Sequence, residues 1–289
     1  MKILVTGAKG QLGYDVVKRL EKEGHEVIAT DVEEMDITDA AAVERVLSEV
    51  SPEAVMHLAA WTNVDAAEDN EEAARKINVT GTANIAKVCG ERDIKMLYIS
   101  TDYVFDGKGI EPYMTTDPAA PEGVYGRTKY EGELEVIKYV RSYFIVRISW
   151  VFGIGGKNFV KTMLGLGKKG ISPSVVYDQV GSPTYTYDLA KLLSRMIVTD
   201  RYGIYHATNE GICSWFDFAE AIFREAGMDD IKVTPVSTEE YGAKAPRPFN
   251  SRMDKSSLTL EGFDLLPPWE DALKRFMEEL RENGFFDEA

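Results

Sequence analysis

Short runs of consecutive apolar residues alternate with segments of helical periodicity through the first half of the chain. The runs are KILVT (2–6), HEVIAT (25–30), EAVMHLA (53–59), IKMLYIS (94–100) and YFIVRI (143–148). Nearly continuous apolar strands are typical of a parallel sheet that is covered by helices on both faces. In the segment 41–50, valine and leucine recur at helical spacing, which predicts a crossover helix between the second and third strands. The pattern therefore predicts an α/β fold with a doubly wound parallel sheet.

The pattern becomes less regular after about residue 150. Prolines interrupt shorter elements there: Pro173, Pro183, Pro235, Pro246, Pro248, Pro267 and Pro268. We therefore expect residues 1–150 to form the main domain and 151–289 a smaller, mixed C-terminal lobe. A late apolar run, GIYHATN (203–209), is expected to return to the main sheet. Near the C-terminus, one helical face carries an apolar stripe that predicts core packing: Trp269, Ala272, Leu273, Phe276, Met277 and Leu280.

The composition is that of an ordinary globular protein. The chain has 289 residues, of which 44% are apolar, enough to bury a sizeable core. The N-terminus lacks the apolar region of a signal peptide, and no run approaches the roughly 18 apolar residues of a membrane span. Cys89 and Cys213 are isolated, which favours a reducing compartment. We therefore expect a cytoplasmic protein that does not contact membranes.

The charge of the chain limits its partners. A formal net charge of -15 argues against nucleic acid, which is bound by clustered lysine and arginine. The three histidines, His25, His57 and His206, are scattered, so a histidine-based metal site is not expected. An anionic ligand would require a few specific arginine or lysine side chains around it.

A glycine-rich turn follows the first predicted strand. In ILVTGAKGQLG, Gly7, Gly10 and Gly13 are spaced GxxGxxG and lead into an amphipathic helix, as in Rossmann-type dinucleotide-binding domains. Asp31 lies 18 residues after Gly13, at the end of the second strand, where its carboxylate can bind adenosine ribose hydroxyls. That carboxylate would repel a 2′-phosphate, so we expect NADH as cofactor. Lys9 could offset the repulsion, so NADPH is expected to be tolerated.

Polar side chains follow the third and fourth strands, in AAWTNVD and STDYVFDG. Ligands bind at the carboxyl ends of the strands in open α/β sheets. The Thr101 hydroxyl could therefore donate to a substrate carbonyl, and the Asp102 carboxylate could accept from sugar hydroxyls. The alternative is that both side chains cap a strand-to-loop turn.

A tyrosine precedes a lysine by four residues at three places in the chain: Tyr14 with Lys18, Tyr125 with Lys129, and Tyr187 with Lys191. Only the pair of Tyr125 and Lys129 lies between the fourth and fifth strands, 24 residues after Thr101, where its helix can flank a cofactor cleft. A nearby ammonium favours the phenolate and would make Tyr125 a better proton donor or acceptor near neutral pH. We interpret the other two pairs as chance matches.

These motifs resemble the extended short-chain dehydrogenase/reductase superfamily, whose marks are GxxGxxG, a serine or threonine on strand four, and YxxxK. Within it, the chain is similar over nearly its whole length to the dTDP-4-dehydrorhamnose reductase family. The similar segments are STDYVFDG (100–107), VYGRTKYEGE (124–133), RISWVFG (147–153), YDQVGSPT (177–184) and PRPFNSRMD (246–254).

The resemblance implies a reaction and a catalytic set. Hydride would pass from the nicotinamide to C4 of dTDP-4-dehydro-β-L-rhamnose, giving dTDP-β-L-rhamnose. Tyr125 would protonate the new alkoxide, Lys129 would tune Tyr125 and bind the ribose, and Thr101 would polarise the ketone. Some members of the family use Mg²⁺, but the acid excess of this chain selects no metal site.

The resemblance also implies binding residues. The expected cofactor contacts are Gly7, Gly10, Gln11, Leu12 and Gly13 at the pyrophosphate, Asp31, Asp36 and Ile37 around the adenosine, and Ala60, Trp61, Thr62 and Ile99 towards the nicotinamide. The expected substrate contacts are Thr101, Asp102, Trp150 and Arg247, the last of them on the nucleotide diphosphate. Trp61 departs from the smaller or polar residue expected at its position, which puts its contact in doubt.

Other functions within and beyond the superfamily remain as alternatives. Sugar-nucleotide dehydratases resemble STDEVYG, whereas Tyr103 occupies the glutamate position here, so elimination lacks its base. Another nucleotide-sugar reductase or an epimerase is a second alternative. A third is a non-catalytic, dinucleotide-binding regulatory subunit similar to the β subunit of methionine adenosyltransferase. Catalysis is favoured over a regulatory role by the presence of Thr101, Tyr125, Lys129 and Arg247. The sequence does not decide whether the protein forms a homodimer.

Overall fold

The computed structural model describes residues 1–287, which form fifteen strands and twelve α-helices. The strands are β1 (Lys2–Thr6), β2 (Glu26–Thr30), β3 (Ala54–His57), β4 (Lys95–Thr101), β5 (Tyr143–Ile148), β6 (Val151–Phe152), β7 (Ser174–Val176), β8 (Val180–Gly181), β9 (Thr184–Tyr185), β10 (Gly203–His206), β11 (Asn209–Glu210), β12 (Cys213–Ser214), β13 (Thr234–Val236), β14 (Asn250–Ser251) and β15 (Leu266–Pro268). The helices are α1 (Gln11–Lys22), α2 (Ala40–Val50), α3 (Val64–Asp69), α4 (Glu71–Arg75), α5 (Thr82–Glu91), α6 (Val124–Tyr139), α7 (Phe159–Lys168), α8 (Thr186–Ile197), α9 (Trp215–Ala226), α10 (Thr238–Tyr241), α11 (Ser256–Leu260) and α12 (Trp269–Glu282). A π-helical turn, Lys76–Gly81, joins α4 to α5, and a 3₁₀ turn, Asp102–Val104, follows β4.

Six strands form one parallel sheet in the order β10-β5-β4-β3-β1-β2. Alternate residues of each strand enter opposite apolar layers, which explains why the predicted strands were continuously apolar. Ile3 and Val5 pack with residues of α1 and α8, whereas Leu4 packs with residues of α2, α5 and α6. The predicted Rossmann-type doubly wound sheet is confirmed.

The last strand of this sheet comes from the second half of the chain. β10 pairs in parallel with β5, from Gly203 opposite Phe144 to His206 opposite Arg147. The helix before it, α8, contributes Leu189 and Leu193 to the layer that covers the sheet. The division of the chain at residue 150 remains a prediction.

A separate apolar cluster lies in the second half of the chain and contains residues of α7, α9 and α12. It includes the predicted C-terminal stripe, whose six side chains are all buried. Its short strands form small mixed pairs, such as β12 antiparallel to β8 and β14 parallel to β8. Among the residues described, no helix combines the length and apolar character needed to cross a membrane.

Candidate active site

A cleft of about 830 Å³ opens at the carboxyl ends of β1, β3, β4 and β5. All but two of the predicted site residues line it: Gly7, Gly10, Gln11, Leu12, Gly13, Asp31, Asp36, Ile37, Ala60, Thr62, Ile99, Thr101, Asp102, Tyr125, Lys129 and Trp150. The predicted cofactor and substrate residues are therefore brought to one edge of the sheet, the edge at which α/β proteins bind ligands.

The glycine turn has no room for side chains. Gly7 has φ +66°, and a Cβ there would lie 2.8 Å from the Ala59 nitrogen. A Cβ on Gly13 would overlap the Gly7 carbonyl oxygen, and one on Gly10 would lie 3.0 Å from the same oxygen. This arrangement exposes main chain at the N-terminus of α1, which suits the pyrophosphate of a dinucleotide.

The end of the cleft expected to hold adenosine is acidic. The Asp31 carboxylate accepts hydrogen bonds from the main-chain N–H groups of Lys9 at 3.2 Å and Val32 at 2.9 Å. The Lys9 ammonium pairs with Glu33 at 2.5 Å and Glu34 at 3.2 Å. Because two carboxylates already engage Lys9, it offers less compensation for a 2′-phosphate than its position in the sequence suggests.

The catalytic candidates lie close together. The Thr101 hydroxyl is near enough to the Tyr125 phenol to oppose the rise of its pKa, and it donates a hydrogen bond to Asp102 Oδ1 at 3.0 Å. Ser251 Oγ donates to the other oxygen, Asp102 Oδ2, at 2.5 Å. Burial raises the pKa of Asp102 to about 6, against the opposing effect of these two hydroxyl donors.

The protonation of Tyr125 differs from the sequence-based expectation. Burial raises the pKa of its phenol to about 12, and the Asp102 carboxylate contributes in the same direction. Burial also lowers the pKa of Lys129 to about 7, against a smaller opposing effect of Glu133. The expectation that the Lys129 ammonium brings the pKa of Tyr125 below its usual value is therefore wrong, because loss of hydration dominates both groups. The phenol is neutral near pH 7 and carries a proton to donate.

Lys129 is held beneath the sheet edge by its own helix and by β4. Its ammonium lies 4.0 Å from the centre of the Tyr98 ring, and the Tyr98 hydroxyl donates to the Lys129 carbonyl at 3.2 Å. One helical turn further along α6, Glu133 accepts two hydrogen bonds from Arg147, at 2.9 and 2.7 Å. Both members of this ion pair are buried.

Trp150 lines the cleft in a backbone conformation that is unusual for a bulky residue, with φ +51°. Its ring stacks on Trp215 with 3.8 Å between centroids and an interplanar angle of 15°. A Cβ on Gly181 would lie 3.0 Å from the Trp150 ring, so that glycine is needed for the packing. Strained residues held by their surroundings occur preferentially at functional sites, which agrees with the position of Trp150.

Two predicted site residues do not line the cleft. The Trp61 side chain packs with Ala67, Ala74 and Val124, and its indole N–H donates to the Asn63 carbonyl at 2.9 Å, so it is used in local packing. The predicted contact of Trp61 with the path to the nicotinamide is therefore not supported.

Arg247 lies beside the cleft rather than on its wall. Its guanidinium donates to Asp65 at 2.7 Å and lies next to Tyr103, which does line the cleft. Arg247 Nη1 is buried and has no hydrogen-bond partner among residues 1–287. A role for this nitrogen in binding the substrate diphosphate stays a prediction.

The two other tyrosine-lysine pairs lie outside the cleft. Tyr14 is 37% exposed and accepts a hydrogen bond from Lys18 on the surface of α1. Tyr187 is 47% exposed at the start of α8 and stacks on Tyr185 at 5.8 Å. Neither phenol lines the cleft. The placement of the three pairs agrees with the interpretation that, of the three tyrosines, only Tyr125 takes part in catalysis.

Several residues of this site are not marked by the sequence patterns described above. Lys76, Lys157 and Ser149 line the cleft, while Ser251 and Trp215 support residues that do. The segment PRPFNSRMD contains Ser251, so its similarity to the family was the available signal. Within the described part of the chain, no group of three or more histidine, cysteine, aspartate or glutamate residues could hold a metal ion, and Mg²⁺ stays a prediction.

Comparison with known proteins relates the whole chain to one family. A family model described as the RmlD substrate binding domain matches residues 1–282. The spore coat polysaccharide biosynthesis protein SpsK of Bacillus subtilis (strain 168) is 41% identical over 279 residues, covering 96% of this chain and 97% of that protein. The dTDP-4-dehydrorhamnose reductase of Aggregatibacter actinomycetemcomitans is 40% identical over 286 residues, covering 94% of this chain and 97% of the relative.

A solved structure shows the same architecture. The crystal structure of dTDP-4-dehydrorhamnose reductase from Bacillus anthracis str. Ames in complex with NADP superimposes with a TM-score of 0.93 at 44% sequence identity. The match covers 96% of this chain and 99% of that chain. The chain therefore shares its fold, and 44% of the aligned residues, with a reductase whose structure contains NADP.

Proposed function

The chain belongs to the RmlD substrate binding domain family, and we propose that it reduces the C4 ketone of dTDP-4-dehydro-β-L-rhamnose to the alcohol, giving dTDP-β-L-rhamnose. The observation that carries this proposal is that Tyr125, Thr101 and Asp102 lie together in the same cleft as the glycine turn, with the Thr101 hydroxyl close to the Tyr125 phenol and hydrogen-bonded to Asp102. Relatives at about 40% identity that are named dTDP-4-dehydrorhamnose reductase support it.

A nicotinamide dinucleotide, held by the glycine turn and Asp31, would supply the hydride for C4. Tyr125 would donate its phenol proton to the oxygen that becomes an alkoxide, because its raised pKa keeps the proton on the phenol near pH 7. Thr101 would turn its hydroxyl towards the same oxygen and help to polarise the ketone. The Lys129 ammonium would then stabilise the phenolate left on Tyr125 until solvent returns a proton.

The structure offers little support for an elimination reaction. Tyr103 stands where the related dehydratases carry their glutamate, and burial raises the pKa of its phenol well above its usual range. A phenol that stays protonated does not act as the base that removes a proton next to a ketone. A purely regulatory role is also less well supported, since the proton donor, its hydroxyl partner and the lysine are all present in the cleft.

We propose NADH as the preferred form of the cofactor. The Asp31 carboxylate and the pairing of Lys9 with Glu33 and Glu34 make the adenosine end of the cleft unfavourable for an added phosphate. The Bacillus anthracis relative was solved with NADP, so NADPH is expected to be accepted as well. Comparing kcat/KM for the two cofactors tests this, and a large preference for NADPH would contradict it.

A single-turnover assay with purified dTDP-4-dehydrorhamnose and NADH tests the reaction itself. We expect oxidation of NADH at 340 nm and formation of dTDP-rhamnose. Consumption of NADH with a different nucleotide sugar, but not with this one, would refute the assigned substrate.

Three matched tyrosine variants test the assigned acid. Tyr125→Phe is expected to lower kcat by two or more orders of magnitude while cofactor binding is kept, because general acid catalysis contributes roughly 10²–10⁴-fold. Tyr14→Phe and Tyr187→Phe remove the same hydroxyl from the same spacing motif and should leave kcat within a few-fold. Equal losses in all three variants would disprove the placement.

We further propose that the protein acts in the cytoplasm. Cys89 and Cys213 are both buried free thiols, which supports a reducing compartment.

For the two parts of the chain, we propose that residues 1–150 mainly bind the cofactor and residues 151–289 mainly bind the substrate.

A further inference from the structure

A loop of the second half of the chain, residues 153–158, lies against the glycine turn. Gln11, the first residue of α1, donates from Nε2 to the Val151 carbonyl at 3.1 Å and accepts from Asn158 Nδ2 at 2.9 Å. A Cβ on Gly155 would lie 3.1 Å from the Gln11 Cα, so the two backbones are nearly in contact. The loop is thus fastened to the segment that is expected to bind the cofactor pyrophosphate.

Contacts within the loop set its shape. Asn158 Nδ2 also donates to the Gly153 carbonyl at 2.8 Å. From the first turn of α7, the Lys161 ammonium donates to the carbonyls of Ile154 at 2.5 Å and Gly156 at 3.1 Å. Lys161 is therefore occupied by the loop backbone and is not the cation that the loop presents to a ligand.

Lys157, the residue before Asn158 in this loop, does not hold the loop backbone as Lys161 does. It lines the same cleft as Gly10 and Gln11, and its side chain makes no hydrogen bond or ion pair with any residue from 1 to 287. A solvent-exposed ammonium without a local partner can turn towards a bound anion with little loss of existing interactions.

The lysine side chains that line the cleft differ in their surroundings. Besides Lys157, the described residues that line it include only two cationic side chains, Lys76 and Lys129. Lys76 lies close enough to Asp36 to lower the pKa of that carboxyl, after the larger effects of its hydrogen bonds to Thr38. Lys129 is buried on α6 beside the Tyr98 ring. Among the three lysines that line the cleft, Lys157 is the one on the loop that lies against the glycine turn, and Lys9, within the turn itself, is already engaged by Glu33 and Glu34.

A cationic side chain near the glycine turn would favour the binding of a pyrophosphate by this protein. The pyrophosphate carries two negative charges, whereas the chain has a formal net charge of -15, so the overall field of the protein opposes binding. Main-chain amides at the N-terminus of α1 supply only partial positive charge. An ammonium on the adjoining loop, in the same cleft, would add a full charge to this partial one.

We propose that Lys157 binds the pyrophosphate of the dinucleotide cofactor, which is thereby held between the glycine turn of the first half of the chain and a loop of the second. The inference rests on the proposed function in that it takes a nicotinamide dinucleotide as the ligand. The diphosphate of a dTDP-sugar has the same chemistry, so the test must separate the two sources.

The test compares Lys157→Met with Lys157→Arg and with Lys169→Met, a surface lysine of the same lobe that does not line the cleft. Dissociation constants are measured for NADH by its fluorescence, and for ADP-ribose, adenosine and dTDP by competition or calorimetry. We expect Lys157→Met to weaken NADH and ADP-ribose by roughly five- to twentyfold at low salt, with the difference shrinking at high salt. Adenosine and dTDP should bind as in the unaltered protein, and Lys157→Arg should retain most of the affinity.

Three results would overturn the inference. Unchanged affinity for NADH and ADP-ribose in Lys157→Met would show that the lysine does not bind the pyrophosphate. Weakened dTDP with unchanged NADH would assign the residue to the substrate instead. An equal loss for adenosine, which has no phosphate, would show that the substitution disturbs the loop. Since ADP-ribose binding involves no turnover, this result is independent of whether the protein reduces the proposed sugar.

Discussion

The buried ion pair behind Lys129 makes a quantitative prediction. Glu133 and Arg147 are almost inaccessible to solvent and are joined by two hydrogen bonds, at 2.9 and 2.7 Å. Glu133→Gln keeps the shape of the side chain but removes its charge. Arg147 would then keep its own charge beside a neutral amide, with the Thr115 carbonyl at 3.5 Å and the Phe105 ring at 5.1 Å nearby.

The magnitude follows from the cost of an uncompensated buried charge. Breaking a buried pair by removing one partner costs about 3–5 kcal/mol. The glutamine oxygen can still accept one of the two hydrogen bonds, which places the expected loss near the lower end of that range. For a chain of this size, such a loss corresponds to a decrease in Tm of roughly 6–12 °C.

Urea denaturation and thermal unfolding measure this loss, with Glu135→Gln as the matched control. Glu135 lies on the same helix and forms a solvent-accessible pair with Lys138 at 3.4 Å. Its replacement should change the free energy of unfolding by less than about 1 kcal/mol. A double variant, Glu133→Leu with Arg147→Met, should recover most of the stability because it leaves no unpaired charge.

The same substitution should alter the pH dependence of the reaction. The Glu133 carboxylate opposes the burial effect on Lys129, so its loss should lower the pKa of Lys129 below about 7. The alkaline limb of kcat/KM for NADH, which reports ionisations of the free enzyme, should therefore move to lower pH. If Glu133→Gln is no less stable than Glu135→Gln and has the same pH profile, the pair neither stabilises the fold nor tunes the lysine.

Three further predictions concern cofactor binding, ionisation and helix capping. Gly13→Ala should abolish NADH binding in calorimetry, because its methyl group would overlap the Gly7 carbonyl, whereas Gly165→Ala, a helical position with open space, should raise stability by about 0.5–1 kcal/mol. The pKa of Lys129 is lower in the folded than in the unfolded state, so between about pH 7 and 10 the unfolded state binds more protons. The free energy of unfolding should rise across that range relative to Lys129→Met, and a flat difference would contradict the burial argument. Ser214→Ala removes the capping box at the start of α9 and should cost about 1 kcal/mol in urea denaturation; no loss would show that the cap is dispensable.

Much of the site was predictable because its signals are local. The glycine turn and the strand ends that carry Asp31 and Thr101 are marked by short apolar runs and by residues with restricted backbone freedom. Local spacing also brought Tyr125 and Lys129 onto one helical face. These features depend on interactions within a few residues, which the sequence displays directly.

The parts that escaped prediction depend on contacts between distant segments. Ser251 reaches Asp102 from 149 residues away, and Trp215 stacks on Trp150 from another part of the chain. The raised pKa of Tyr125 belongs with these features, because it follows from the burial of the phenol. Spacing identifies a neighbouring charge but gives no measure of how much water is removed around it.

The position of β10 has a consequence for how the protein is made. During synthesis, β1 to β5 leave the ribosome well before residues 203–206. The edge of β5 therefore stays unpaired in the nascent chain until β10 has been made. An open strand edge is a site for pairing with other chains, so the chain is exposed to aggregation during this interval. A chain that terminates near residue 150 would lack β10, and its β5 edge would stay unpaired. Such a fragment would be a substrate for chaperones and proteases rather than a free-standing nucleotide-binding module.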